Sequence, residues 1–93
     1  MKLAGRPVLT AFTAKHADAR PWIQAWVREV EEATWATPRE LKARYPSASL
    51  LPDSIVIFNV KGTTYRLESR VSFELGVVLV TWAGTHAEYS KRF

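Results

Sequence analysis

Apolar residues recur every three or four positions in the first half of the chain and alternate in the second half, and the texture changes between Tyr45 and Ile55. Pro7 sets φ where a helix can begin, and Val8, Leu9 and Phe12 then form one apolar face of a short helix. Asp18 follows as an N-cap for the next helix. From Pro21 onward Trp22, Trp26, Val30 and Ala33 fall on one face, opposite Gln24, Arg28, Glu29, Glu31 and Glu32, which predicts an amphipathic helix. Thr37-Pro38-Arg39-Glu40 has the form of a capping box with proline at the first helical position. Leu41 and Tyr45 then sit one turn apart, in a third short helix that ends before Pro46.

Pro46-Ser47-Ala48-Ser49 and Pro52-Asp53-Ser54 read as turns, after which β-branched and aromatic residues dominate. Strands are predicted at 55–60, 64–73 and 77–83, separated by Lys61-Gly62-Thr63 and Glu74-Leu75-Gly76, and such short turns make an antiparallel meander. Residues 2–5 read as one further strand. In the middle strand Tyr65, Leu67, Val71 and Phe73 share one face, while Arg66, Glu68 and Arg70 share the other. Gly84 to Tyr89 is read as a loop laid across the sheet edge beside the arginine face. The fold class expected is α+β, with N-terminal helices packed on one face of a small antiparallel sheet, and residues 1–93 form a single domain.

Composition narrows the partners more than the fold. Thirteen Lys and Arg against nine Asp and Glu leave a formal charge of +4, and the pI of about 9.8 suits a polyanion. The absence of cysteine excludes a disulfide framework, a thiolate metal site and a thiol nucleophile. The opening residues lack the apolar core of a secretory signal and no run reaches membrane-spanning length, so a cytoplasmic protein is expected. No phosphate-cradling glycine loop, paired metal-ligand histidines or nucleophile-elbow serine occurs, and neither metal nor cofactor is expected.

What remains is polar and lies in the sheet half or after it: Lys61, Arg66, Arg70, Thr85, His86, Glu88, Tyr89, Lys91 and Arg92. Arg66 and Arg70 project from one face roughly 13 Å apart, either spanning adjacent backbone phosphates or forming a solvated face that Glu68 neutralises. Histidine is the side chain whose ordinary titration lies near neutrality, so His86 suits proton transfer. Tyr89 suits stacking on an unpaired base, proton transfer, or capping of the sheet edge. Trp22 and Trp26 are read as packing residues, and core is the default for Trp35 and Trp82 as well.

Tyr45-Pro46-Ser47-Ala48, Phe58-Asn59-Val60, Gly62, Tyr65-Arg66-Leu67, Arg70 and above all Thr85-His86-Ala87-Glu88-Tyr89 resemble the HigB toxin family. Phe12, Lys15-His16, Asp18-Ala19 and the tryptophan-rich helix also fit that family's spacing. The resemblance implies a RelE-like fold, a place in a type II toxin–antitoxin pair, and cleavage of messenger RNA during translation on the ribosome. A HigA-type antitoxin would be the silencing partner, with the toxin a monomer alone or part of a hetero-oligomer. Where the family commonly has Gly-Asn-Lys before Tyr-Arg-Leu, this chain has Gly62-Thr63-Thr64, and Lys61 stands in as the nearby charge. Metal-free cleavage needs a base, an acid and fixed cations. His86 or Glu88 would assist the 2′-hydroxyl, Arg66 and Arg70 would hold the developing charge, and Tyr89 or His86 would serve the leaving oxygen. Lys61, Lys91 and Arg92 would steer the RNA backbone. Two alternatives stand beside this reading: a relative on the same scaffold that acts without cutting RNA, directed at gyrase for instance, and a non-catalytic module that binds RNA or an acidic partner.

Overall fold

The alternation of the second half becomes the centre of a five-stranded sheet, and the helical first half covers one face of it. The computed structural model describes residues 1–92. In chain order the elements are β1 (Lys2–Ala4), α1 (Arg6–Lys15), a 3-10 turn (Ala17–Ala19), α2 (Arg20–Glu32), α3 (Pro38–Arg44), β2 (Ser49–Leu50), β3 (Ile55–Val60), β4 (Tyr65–Ser72), β5 (Val77–Thr85) and α4 (His86–Ser90). The sheet order is β1-β5-β4-β3-β2, antiparallel throughout except for β1, which runs parallel to β5. The α+β architecture expected from the sequence is therefore the one found.

The core lies between the helices and one sheet face. Leu9 and Phe12 of α1, Ile23, Trp26 and Val30 of α2 and Leu41 of α3 meet Val56, Phe58, Val60, Tyr65, Leu67, Val71, Val78 and Val80. Fully burying side chains of this size contributes about 1.5–3 kcal/mol each. The α3 capping box forms as expected: Thr37 Oγ1 accepts from Glu40 N at 3.3 Å, and the Glu40 carboxylate accepts from Thr37 N at 3.2 Å.

Three local expectations are corrected. Asp18 does not cap α2, whose N-cap Ala19 makes no side-chain hydrogen bond. Its carboxylate instead accepts from the hydroxyl of buried Tyr65 at 2.7 Å and from Lys61 Nζ at 3.1 Å, because a buried phenol needs a partner more than an exposed helix end does. Ser49–Leu50 is a strand, too short to alternate, paired with Ile57 and Val56 of β3. The segment read as a loop is the end of β5 followed by α4, started by a second capping box: Glu88 N donates to Thr85 Oγ1 at 3.1 Å and Thr85 N to Glu88 Oε1 at 2.9 Å.

A bulge in β5 has the largest consequence for the open face. Ser69 pairs with Val80 and Glu68 with Trp82, leaving Thr81 as the extra residue. Past it the inward and outward positions of β5 exchange, so Trp82 stands beside Glu68 on the face away from the helices. The expectation that all four tryptophans belong to the core thus fails at Trp82, whereas Trp26 is 1% exposed at its centre.

Two tests follow. Gly5 begins α1 at φ +85°, and an added Cβ would lie 2.2 Å from Val80 O, so Gly5→Ala must displace β5 backbone. Gly62 is also left-handed, at φ +67°, but has open space around it. Urea unfolding should show a loss of about 2–4 kcal/mol for Gly5→Ala and about 1 kcal/mol for Gly62→Ala. Equal losses would contradict the close approach at Val80. The second test concerns Asp18, whose carboxyl the hydrogen bonds from Tyr65 and Lys61 hold below its ordinary value of 3.8. A lowered folded-state value means a contribution complete above about pH 3.8 that disappears as the pH falls through that lower value. Asp18→Asn should lower the Tm at neutral pH, and calorimetry should show the gap closing in strong acid.

Candidate functional site

The alternation of β4 puts Arg66, Glu68 and Arg70 on the face that the core helices leave uncovered. Register supplies their neighbours: Arg66 lies opposite Asn59 and Gly84, Glu68 opposite Ile57 and Trp82, and Arg70 opposite Ile55 and Leu79. The Thr85 and Glu88 cap then turns the chain into α4, which folds back against β4 and β5. That reversal brings the Tyr89 ring 5.5 Å from Arg66 Cζ and 6.0 Å from the Trp82 ring. Arg92 Cζ lies 4.6 Å over Trp82, and its Nη2 is 3.4 Å from the Glu68 carboxylate. Gly84 permits this packing, since a Cβ there would meet Trp82 at 2.7 Å and Glu88 Oε1 at 3.0 Å.

The charges on this face are not evenly matched. Glu68, the residue placed to neutralise both strand arginines, turns instead to Arg92 and to the Thr81 hydroxyl at 2.9 Å. Among the described residues neither Arg66 nor Arg70 enters an ion pair. Arg66 is also partly buried, and its Nε lacks a hydrogen-bond partner. Leaving a buried donor unsatisfied costs about 1–3 kcal/mol. Two more buried polar atoms share this condition, Asn59 Oδ1 and Trp26 Nε1, and Asn59 is the direct cross-strand neighbour of Arg66.

The remaining sequence-predicted residues divide by place. His86 is exposed at the first turn of α4, its backbone N–H donating to Thr64 O at 3.2 Å, and Tyr89 lies three residues on along the same helix face. Glu88 serves the cap. Hydrogen bonds from the Thr85 backbone and side chain, with help from the charges of Lys15 and His16, hold its carboxyl below the usual range. Lys61 sits at the β3–β4 turn and is engaged by Asp18. Arg70 shares the open face but lies four residues from Arg66, beside a recess lined by Asp53, Phe73, Leu75 and Leu79. Lys91 is exposed at the end of α4. The structure thus gathers Arg66, Tyr89 and Arg92, with His86 on the same short helix as Tyr89, and leaves Lys61 and Arg70 apart from them.

Two residues of this surface escaped the reading of candidate chemistry. Trp82 reaches it only through the β5 bulge, which no local motif announces. Asn59 did carry a signal, as the single amide among the apolar residues of β3. Its Nδ2 donates to Ser47 O at 3.1 Å, so Oδ1 is the atom left free to accept. Among the described residues no three His, Cys, Asp or Glu side chains are grouped to hold a metal ion, and no helix is long and apolar enough to cross a membrane.

Comparison with known proteins agrees with this architecture. No curated protein matches the chain. The family model of the HigB toxin, described as the RelE-like toxic component of a toxin–antitoxin system, matches residues 19–92. That span takes in α2 to α4 and β2 to β5, with both arginines and the whole of the Thr85 to Tyr89 run. The chain therefore belongs to the HigB toxin family, the RelE-like toxic component of toxin–antitoxin systems.

Proposed function

We propose that this toxin is a metal-independent endoribonuclease that cuts messenger RNA in the cytoplasm, during translation on the ribosome, and is silenced by a HigA-type antitoxin. The observation that carries the reading is Arg66: a partly buried guanidinium with no ion-pair partner among the described residues, an unpartnered Nε, and the Tyr89 ring 5.5 Å away. A cation held without a counter-charge is ready for a phosphate, and its low-dielectric surroundings strengthen that attraction.

The chemistry assigns one task to each group. An imidazole at His86 takes the proton from the 2′-hydroxyl, the 2′-oxygen attacks phosphorus, and Arg66 holds the charge that develops on the equatorial oxygens. The bond to the 5′-oxygen breaks and that oxygen receives the phenolic proton of Tyr89, leaving a 2′,3′-cyclic phosphate and a 5′-hydroxyl end. Arg66 is placed to hold the charge left on the phenolate. Glu88 is a poor base, since its Oε1 accepts from Thr85 N at the helix cap and the cap holds its carboxyl below the usual range, which weakens its hold on a proton. Arg92 and Lys91 flank the site and would engage the RNA backbone, while Arg70 would take a phosphate further along β4.

Cleavage of translated messenger RNA, read as new 5′-hydroxyl ends, should fall about a hundredfold to a thousandfold for Arg66→Ala and by a similar factor, about 10²–10⁴, for His86→Ala. Growth arrest should be lost with it. If both folded variants cut as the wild type does, the roles assigned to Arg66 and His86 are wrong; if the wild type itself leaves no new 5′-hydroxyl ends, the toxin acts without cutting. Glu88 gives a separate check. Glu88→Gln keeps an acceptor for Thr85 N–H and should leave cleavage within a few-fold, whereas Glu88→Ala should destabilise α4 by about 1 kcal/mol and reduce cleavage through displacement of Tyr89. A hundredfold loss in Glu88→Gln would make the carboxylate itself the base.

A further inference from the structure

Among the described residues the large apolar side chains left exposed are Leu50, Leu51, Leu75 and Leu79, and all four lie at the end of the sheet away from α4. Register puts two of them in line with a cation. Leu51 N donates to Ile55 O at 2.8 Å, Ile55 pairs with Arg70, and Arg70 pairs with Leu79, so one row crosses the open face from β5 to the residue after β2. Leu75, 77% exposed in the β4–β5 turn, joins Arg70, Phe73 and Leu79 around a recess of about 600 Å³. The turns beside it are pinned: Val71 N donates to Ser54 O at 2.9 Å, and Leu75 N donates to Ser72 Oγ at 3.1 Å.

A single exposed leucine needs no explanation, but several gathered on a fixed surface mark an interaction site. RNA does not suit this one. Leucine has no ring on which a base can stack, and the carboxylates of Asp53 and Glu74, which line the same recess, repel phosphate. A second copy of the chain is opposed by the formal charge of +4 that each copy carries. A different protein meets neither objection, and the toxic component of a toxin–antitoxin system has one as its partner. Arg70 sets the charge that this partner must bring. Its guanidinium is exposed within the apolar row and enters no ion pair among the described residues, so any surface that covers the leucines strips water from a cation and has to return a carboxylate to it.

We infer that the antitoxin docks on this end of the sheet, with apolar side chains laid over Leu75 and Leu79 and a carboxylate set against Arg70. Apolar contact at the centre and one desolvated charge pair are the usual anatomy of a specific protein interface. The docking also explains silencing. Arg70 is the group assigned above to an RNA phosphate beyond the scissile one, so a carboxylate there takes the place of that phosphate and closes the RNA path along β4 without contact to Arg66, roughly 13 Å away along the strand. The inference rests on the antitoxin part of the reading above but not on cleavage.

The test is a calorimetric titration of the toxin with purified antitoxin, the protein encoded beside it. Wild type is compared with Arg70→Ala and with a double variant, Leu75→Ser with Leu79→Thr, whose positions have no part in the nuclease chemistry. The expected result is a loss of affinity of about tenfold or more in both. A thermal melt should show the double variant folded, and whatever cleavage the wild type gives should stay within twofold in it. Coexpressed with the antitoxin, the double variant should arrest growth where the wild type does not. Unchanged affinity in the double variant overturns the surface and leaves the antitoxin reading in place. So does a toxin dimer that the double variant dissociates, which makes the occupant a second copy, and so does a double variant that keeps the antitoxin but loses cleavage, which makes the occupant RNA. No binding by the wild type removes the antitoxin reading, and the surface with it.

Discussion

The pleat of β4 is the constraint on which the rest of the molecule depends. Eight residues alternate between a core of Tyr65, Leu67, Ser69 and Val71 and an open face of Arg66, Glu68, Arg70 and Ser72. Because the side-chain period is two, a slip of one residue would drive Arg66 into the core and Leu67 into solvent, so the apolar face fixes the arginine face by exclusion. Even the polar core member conforms, Ser69 Oγ donating to Val56 O at 3.0 Å.

Around that strand, two local devices bring distant sequence to the arginine. The β5 bulge at Thr81 exchanges the faces of everything after it, which carries Trp82 to the open side. The capping box of Thr85 and Glu88 then ends the strand and reverses the chain, so that Tyr89 comes back over Arg66. Both devices are small, a single extra residue and a pair of hydrogen bonds. Without the first, the Trp82 ring would point toward the core; without the second, the C-terminal run would extend past the sheet instead of folding onto it.

The distribution of charge gives the face its character. Four acidic residues are committed to partners of their own: Asp18 to Tyr65 and Lys61, Glu29 to Tyr45 and Arg44, Glu68 to Arg92, Glu88 to the α4 cap. Burial opposes the charge of Glu29, but hydrogen bonds from Tyr45 and Arg44 outweigh it and keep the carboxyl ionised, while burial and that same carboxylate push the Tyr45 phenol well above its ordinary value. On the open face of β4 these pairings leave Arg66 and Arg70 without an ion pair among the described residues.

Periodicity alone determined the helical half, the meander, the three central strands, the α3 cap and the shared face of Arg66 and Arg70, because each of these depends on spacing within one segment. The Thr85 to Tyr89 motif pointed to the family, and its first four residues, Thr85-His86-Ala87-Glu88, also carry the signature of a capping box. Tertiary structure alone decided which residues meet. Glu68 could neutralise Arg66 on sequence grounds and does not, because Arg92 and Thr81 compete for it. Asp18 could cap a helix and instead holds the Tyr65 hydroxyl, forty-seven residues away. Trp82 could belong to the core and lies outside it, because one extra residue in β5 shifts the pairing with β4. Local pattern follows from forces within a few residues of chain, whereas a partner is chosen by competition among groups that only the closed fold brings within reach.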